Sequence, residues 1–206
     1  MEKLEHDSEF FRGAENYLAK LRDVFQSDQL AGIELLARDL YDAWVNGHHV
    51  YICGNGGSAA NALHLANDFH YGIGACGTAP KLPGLRVEAL SGNQGIITCL
   101  ANDIGYENIF AHQLEVKARS SDLLIALSGS GNSENIVRAL ETARKINMKN
   151  YAVLAFDGGK CIEKADRTIH FPIKDMQIAE DTQLIVGHLC MQWLNKNKPS
   201  ELALKA

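Results

Sequence analysis

The nine residues Ala126-Leu127-Ser128-Gly129-Ser130-Gly131-Asn132-Ser133-Glu134 carry the densest chemistry in the chain. The apolar run Leu123 to Leu127 comes before the turn, and an amphipathic pattern from Glu134 to Ile146 follows it. The stretch therefore reads as a strand, a tight turn and a helix start. Glycines let the backbone bend and approach a ligand. A helix start offers unpaired N–H groups and the positive end of a dipole, and serine hydroxyls add donors. These parts make an anion pocket, most naturally for a phosphate. The bland alternative is a plain strand-to-helix turn with a Ser or Asn cap. The Walker A lysine is missing, which disfavours triphosphate hydrolysis, and the G-x-G-x-x-G fingerprint is absent here. Gly54-Asn55-Gly56-Gly57-Ser58 forms a second unit of the same plan, between a strand at Val50 to Cys53 and a helix over 59–69. With Ala59 it fits a loose dinucleotide pattern, but no acidic residue stands about 20 positions on.

These two turns need a frame. Helical spacing predicts a preface of two helices over 8–47, broken at Ser27-Asp28 and stopped at Asn46-Gly47. Strands are predicted at 50–53, 87–90, 123–127, 151–155 and 167–171. Helices are expected over 59–69, 94–101, 106–118, 133–146, 160–164 and 178–194, with a loop over 72–84. Strands alternating with helices call for a mostly parallel sheet with helices on both faces. Ligands of such sheets sit at the carboxyl ends of strands beside a topological switch point. Both glycine-rich turns are at such ends. The 206 residues suit one such domain, and 46% apolar against 22% charged residues can bury a core. A net charge of −5 with no basic stripe argues against nucleic acid as partner. No apolar run reaches the ~20 residues of a membrane span, and Met1 to Asp7 lacks a leader's apolar core. Five scattered cysteines with no C-x-x-C pair point to free thiols and a cytoplasmic location. Cys53 and Cys190, in apolar contexts, are expected to pack as small hydrophobes.

Gly54-Asn55-Gly56-Gly57-Ser58, His64 with Asp68, Asn102-Asp103, Ser128 to Ser133 and Glu180 with His188 occur in that order. The ordered set resembles the SIS (sugar isomerase) fold. Within that fold it is most similar to the sedoheptulose 7-phosphate isomerases, also called phosphoheptose isomerases. The resemblance runs from about residue 9 to 195. It implies an α/β fold of SIS type: a parallel five-stranded sheet flanked by helices on both faces, with an N-terminal helical segment. Residues 1–206 would form a single SIS domain, with the preface at about 8–47 and the α/β core at about 48–195. The family further implies a homotetramer with active sites at subunit contacts. Its setting is heptose synthesis for bacterial lipopolysaccharide or capsule, and some members bind zinc.

The resemblance assigns roles position by position. Ser128, Ser130 and Ser133 match the family's phosphate-binding serines, and Gly129 stands for a Thr there. Asn55, Gly56, Gly57 and Ser58 match the first sugar-binding turn, and Asn102 and Asp103 match substrate contacts. His64 and His188 match two histidines of the catalytic and zinc-binding group. Asp68 replaces a Glu that acts in proton transfer, and Glu180 replaces a Gln. Both departures fall among the substrate contacts: Asp is one methylene shorter, and Glu adds a negative charge.

Moving a carbonyl between C2 and C1 of a sugar phosphate needs a base, a way to stabilise an enediolate and a group to return the proton. His64 and Asp68, four apart on a predicted helix, share a face. Glu180 and His188 are eight apart, roughly 12 Å along a helix and near 80° around it. His64, Asp68, Glu180 and His188 form a ligand set that suits Zn²⁺, which would polarise the carbonyl. His188 is assigned as the main base and Asp68 as its proton-transfer partner. If all four bind metal, no base remains unless one lets go. His48, His49, His112 and His170 read as surface or hydrogen-bonded residues. The function this supports is an aldose–ketose isomerase converting sedoheptulose 7-phosphate to D-glycero-D-manno-heptose 7-phosphate. The rivals are a non-catalytic protein on the same scaffold, either a DnaA-binding type or a sugar-phosphate sensor, and an isomerase or epimerase of another phosphosugar. A pure scaffold has no need of the four polar groups together.

Overall fold

The computed structural model describes residues 8–77 and 80–200. The first seven residues, including the stretch read above as lacking a leader, positions 78–79 of the predicted loop and residues 201–206 lie outside them.

Five parallel strands form one sheet: β1 (His49–Gly54), β2 (Arg86–Ala89), β3 (Leu123–Ser128), β4 (Lys149–Leu154) and β5 (Arg167–His170), in the order β2-β1-β3-β4-β5. The central strands β1 and β3 and most of β4 are buried apolar runs, as strands covered on both faces should be, whereas the edge strands β2 and β5 carry charged and polar residues. Side chains alternate between the faces, so the sheet divides its apolar residues between two cores. Val50, Ile52, Leu123, Ile125, Leu127 and Val153 point to one. Tyr51, Cys53, Leu124, Ala126, Ala152 and Leu154 point to the other.

The first core is closed by α2 (Ser27–Asn46), α3 (Gly57–Asn67) and α9 (Met176–Lys196). α2 contributes Ile33, Leu36, Leu40 and Trp44 at helical spacing. It ends at Gly47, which takes the left-handed conformation of a helix C-cap. Leu40 and Ile52 are fully buried. Cutting either to Ala would cost about 2–5 kcal/mol. α1 (Glu9–Asp23), capped by the Ser8 hydroxyl, lies outside against α9 and buries no residue fully. The second core is closed by α6 (Ala111–Lys117), α7 (Glu134–Lys145) and the short α8 (Cys161–Lys164), with Ile97 and Leu100 of α5 (Gln94–Asp103) packed on it.

The two-helix preface and the five strands fall where the hydrophobic periods put them. Two details differ. The expected helix 59–69 stops at Asn67 and continues as a π-helical turn, Asp68–Gly72, then the brief α4 (Ile73–Ala75) inside the predicted loop. The expected helix 106–118 is a 3₁₀ turn, Tyr106–Asn108, entered from Gly105 at φ +92° and followed by the shorter α6. No helix of the described residues is long and apolar enough to cross a membrane.

Candidate active site

Strand order reverses at β1: β2 lies on one side and β3 on the other. α3 follows β1 onto the first core, and α7 follows β3 onto the second. The connections therefore part at the ends of β1 and β3, and a crevice opens between them. Both glycine-rich turns stand at its mouth.

The Ser128–Ser133 turn is built by its own serines. The Ser128 hydroxyl accepts from the Gly131 N–H at 3.1 Å, and the Ser130 hydroxyl accepts from the Asn132 N–H at 3.3 Å. Gly131 has φ +66°, and a Cβ there would strike the Gly158 carbonyl. Ser133 is the N-cap of α7, yet its hydroxyl makes no capping hydrogen bond. That hydroxyl and the first N–H groups of a 12-residue helix together suit an anion.

The Gly54–Ser58 turn differs. The Glu180 carboxylate packs against Gly57, where a Cβ would fall 2.5 Å from Oε2. A negative group thus already rests on the first turn of α3, the favoured place for it.

α3 and α9 carry the titratable cluster. Asn61 of α3 donates to the Glu180 carbonyl and to Gln183 Oε1, both at 3.0 Å. Lower down, Gly187 lets α9 close on the Leu65 side chain, and Gly72 makes room for Met191. This spacing brings His188 to the end of α3. His64 Nε2 and His188 Nε2 are 3.0 Å apart, and Asp68 Oδ2 is 3.4 Å from each. Asp68 opens the π-helical turn, a distortion often found at functional sites. Its side chain is 14% exposed, whereas the histidines are about half exposed at 50% and 44%.

The triangle has the dimensions of a metal site. Bonds of ~2.0–2.1 Å at tetrahedral angles place ligand atoms about 3.3 Å apart. Two imidazoles and one carboxylate also suit zinc by type, and three protein ligands leave a fourth position open. Among the described residues the group is His64, Asp68 and His188. Of the four residues expected to hold metal, the structure groups these three, and the Glu180 carboxylate packs at Gly57.

A second set of contacts closes the root of the crevice. Asn55 Nδ2 donates to Asn135 Oδ1 at 2.8 Å, and Asn135 Nδ2 donates back to Asn55 Oδ1 at 2.9 Å. Tyr106 Oη also donates to Asn55 Oδ1, at 2.9 Å. Asn102 and Asp103 are exposed; Asn102 Nδ2 donates to Asp103 Oδ1 and the Cys99 thiol donates to Asp103 Oδ2. Tyr106, three residues on, makes the contact to the β1 turn. Cys53, Cys99, Cys161 and Cys190 are held as thiols. Burial raises the Cys53 thiol well above its usual range and lifts Cys161 and Cys190 to about 12, and the Asp103 carboxylate raises Cys99.

Sequence reasoning missed Asn135, Tyr106, Asn61 and Gly187. Asn135 had a positional signal, since it stands two residues after Ser133 at the predicted start of the helix, and the structure buries it to 2% exposed. Gly187 had none without the partner helix.

The SIS domain family matches residues 14–155. A phosphoheptose isomerase of Chlorobaculum parvum is 34% identical over 85% of this chain and 83% of its own length. One of Akkermansia muciniphila is 35% identical over 92% and 97%. The chain belongs to the phosphoheptose isomerase family. The fold of this SIS-domain isomerase also matches the solved phosphoheptose isomerase GmhA of Neisseria gonorrhoeae. That match has a TM-score of 0.80 and 23% identity over 90% of this chain and 96% of that one.

Proposed function

We propose that this protein is a phosphoheptose isomerase that interconverts sedoheptulose 7-phosphate and D-glycero-D-manno-heptose 7-phosphate through an enediolate. The observation that carries the reading is the His64–Asp68–His188 triangle beside the switch point, with a serine-lined anion seat across the crevice. Kinship with named phosphoheptose isomerases at 34–35% identity supports the choice of sugar.

The phosphate sits on Ser128, Ser130, Ser133 and the α7 N-terminus, where hydroxyls and backbone N–H groups donate to its oxygens. Glu180 already fills the corresponding place on α3, so the phosphate is directed to α7 and the carbon chain runs toward the Asn55–Ser58 turn. Asn102 and Asp103 reach the sugar from the segment that Tyr106 anchors.

Ketose-to-aldose conversion removes a proton from C1 and returns one to C2. His188 Nε2 takes the proton. Asp68 Oδ2, 3.4 Å away, and His64 Nε2, 3.0 Å away, hold it within the cluster until it returns. His64, Asp68 and His188 would hold a zinc ion, which would polarise the carbonyl as a Lewis acid. A lone pair given to metal cannot take a proton, so the relay just described is that of the metal-free cluster; with zinc on the three atoms, the second carboxylate oxygen, Asp68 Oδ1, would be the acceptor left in the cluster to move the proton. We further assign the enzyme to the cytoplasm, where its unbridged cysteines are at home, and to bacterial heptose synthesis. It assembles as a homotetramer with active sites at subunit contacts. Exposed Phe10, Leu18 and Val116 and an apolar cleft of about 430 Å³ between α5 and α6 supply surface for that assembly.

The test is turnover of sedoheptulose 7-phosphate by zinc-loaded and chelated protein, followed by carbon NMR of the sugar. Product that falls on chelation supports the enzyme and the metal together. Product that survives chelation keeps the isomerase on acid–base groups alone. No product in either state refutes the reading.

A further inference from the structure

The geometry points to Asn135 as a positioning residue that joins the phosphate seat and the sugar turn into one rigid clamp, with Asn55 serving as a strut rather than a ligand. This rests on the phosphosugar reading of the site.

A primary amide offers two donors and two acceptor lone pairs. Asn55 Oδ1 spends both lone pairs, on Asn135 Nδ2 and on Tyr106 Oη. Asn55 Nδ2 spends one hydrogen on Asn135 Oδ1. One N–H is left for any sugar. Family resemblance puts Asn55 in the sugar-binding turn, yet in this molecule the side chain is committed to the protein.

The contact also lies where the backbone cannot do the same work. The β1–β3 ladder ends at Gly54 and Leu127. Beyond that pair the two turns leave toward opposite faces of the sheet. The reciprocal amide pair bridges them. Its ring closes only when each amide presents N to O, so a flip of either side chain alone sets like atoms against each other. The 3₁₀ turn is pinned into the same assembly from two sides. Tyr106 reaches the β1 turn, and Asn108 Oδ1 accepts from Arg138 Nη1 of α7 at 2.7 Å. The β1 turn, the α7 start and the 106–108 segment therefore move together. A phosphate that settles on α7 fixes the width of the crevice and carries the sugar turn and the Asn102–Asp103 segment with it.

The experiment is an NMR titration with inorganic phosphate, on deuterated wild type and on Asn135→Ala. In wild type the Gly56 and Gly57 amides should shift along the same saturation curve as Ser130 and Ser133. In Asn135→Ala the seat should still bind phosphate within about twofold while the 55–58 signals stop responding, and turnover should fall at least tenfold in kcat with KM little changed. Asn55→Ala, which also removes the Tyr106 bond, should lose at least as much, and the double variant no more than Asn55→Ala alone, because the amide ring is already gone in either single variant. Should Asn135→Ala fail to fold, Tyr106→Phe removes one bond at an exposed side chain and should weaken the same coupling. A 55–58 turn that still follows phosphate in Asn135→Ala, or losses that add in the double variant, would overturn the inference. A wild type whose Ser128–Ser133 signals ignore phosphate would instead overturn the phosphosugar reading.

Discussion

Gly187→Ala tests whether helix spacing builds the histidine–aspartate triangle. A Cβ at Gly187 would lie 2.8 Å from Leu65 Cδ1 and 2.9 Å from Leu65 Cγ, and closer still to Cδ2. Carbon atoms settle at about 3.5–4.0 Å. Leu65 is 2% exposed, packed within the first core. α9 must therefore retreat from α3 by roughly 1 Å, a distance set by that contact range. His188 is the next residue on α9, so its 3.0 Å gap to His64 would widen toward the limit of a tetrahedral site. Overpacking of this kind costs about 1–3 kcal/mol. At ~2–4 °C per kcal/mol for a domain of this size, the melting temperature should fall by about 2–12 °C. Disturbed support around metal ligands lowers affinity by roughly 10–100-fold. Gly13→Ala is the control. Nothing lies within 4 Å of a Cβ there. Alanine in that exposed helix should stabilise by about 0.5–1 kcal/mol. The assay pairs a thermal scan with zinc competition against a coloured chelator. Wild-type zinc affinity in a destabilised Gly187→Ala protein would refute the link between helix spacing and the triangle. An unchanged melting temperature would refute the packing itself.

Ser133→Ala should leave stability within about 0.5 kcal/mol, unlike most N-cap serines, because this hydroxyl caps nothing. Steady-state kinetics should show KM for the phosphorylated sugar rising several-fold. Gly131→Ala forces a left-handed φ on an L-residue and drives its Cβ into the Gly158 carbonyl. Denaturant titration should show a loss above about 2 kcal/mol, from strain and overlap together. Asp68→Asn keeps the shape of the side chain and removes its charge, so zinc competition and turnover should both drop at least tenfold, as is typical of disturbed metal sites. Glu180→Gln uncovers the first turn of α3. Calorimetry with inorganic phosphate should then find a second, weaker site, at a stability cost of about 0.3–1 kcal/mol for the lost charge on the dipole. A single site in that variant would show that the charge of Glu180 does not block the α3 terminus.

What the sequence made legible follows the range of each physical signal. Strands such as Leu123–Ser128 and helices such as Glu134–Lys145 show in hydrophobic period, which is local. The Ser128–Ser133 and Gly54–Ser58 turns show because turn chemistry is local too. His64 and Asp68, four apart, could be placed together from spacing alone, and they are 3.4 Å apart even though the helix changes to a π turn between them. The approach of His188 could not be read that way. It depends on Gly187 facing Leu65 across 122 residues, and nothing in the local pattern of either helix announces the other. The Asn55–Asn135 pair is hidden for the same reason. Each asparagine by itself looks like a turn or cap residue, and only the parallel register of β1 and β3 brings them level.

The two glycine-rich turns look interchangeable in sequence, and their neighbours make them different. Each ends a parallel strand and begins a helix, and each helix presents the positive end of its dipole to the same crevice. On α7 that end is lined by hydroxyls that add donors. On α3 it is met by Glu180, a carboxylate delivered from α9, whose register is fixed by the two bonds from Asn61. One terminus therefore attracts an anion, and the other has its charge answered from within the chain. Under the proposed function, a ligand with one phosphate would have one way to lie, with its far end toward α3 and α9, which carry the histidines. On that reading Glu180 would set the direction in which the substrate lies, and it would do so with the charge that separates it from an amide.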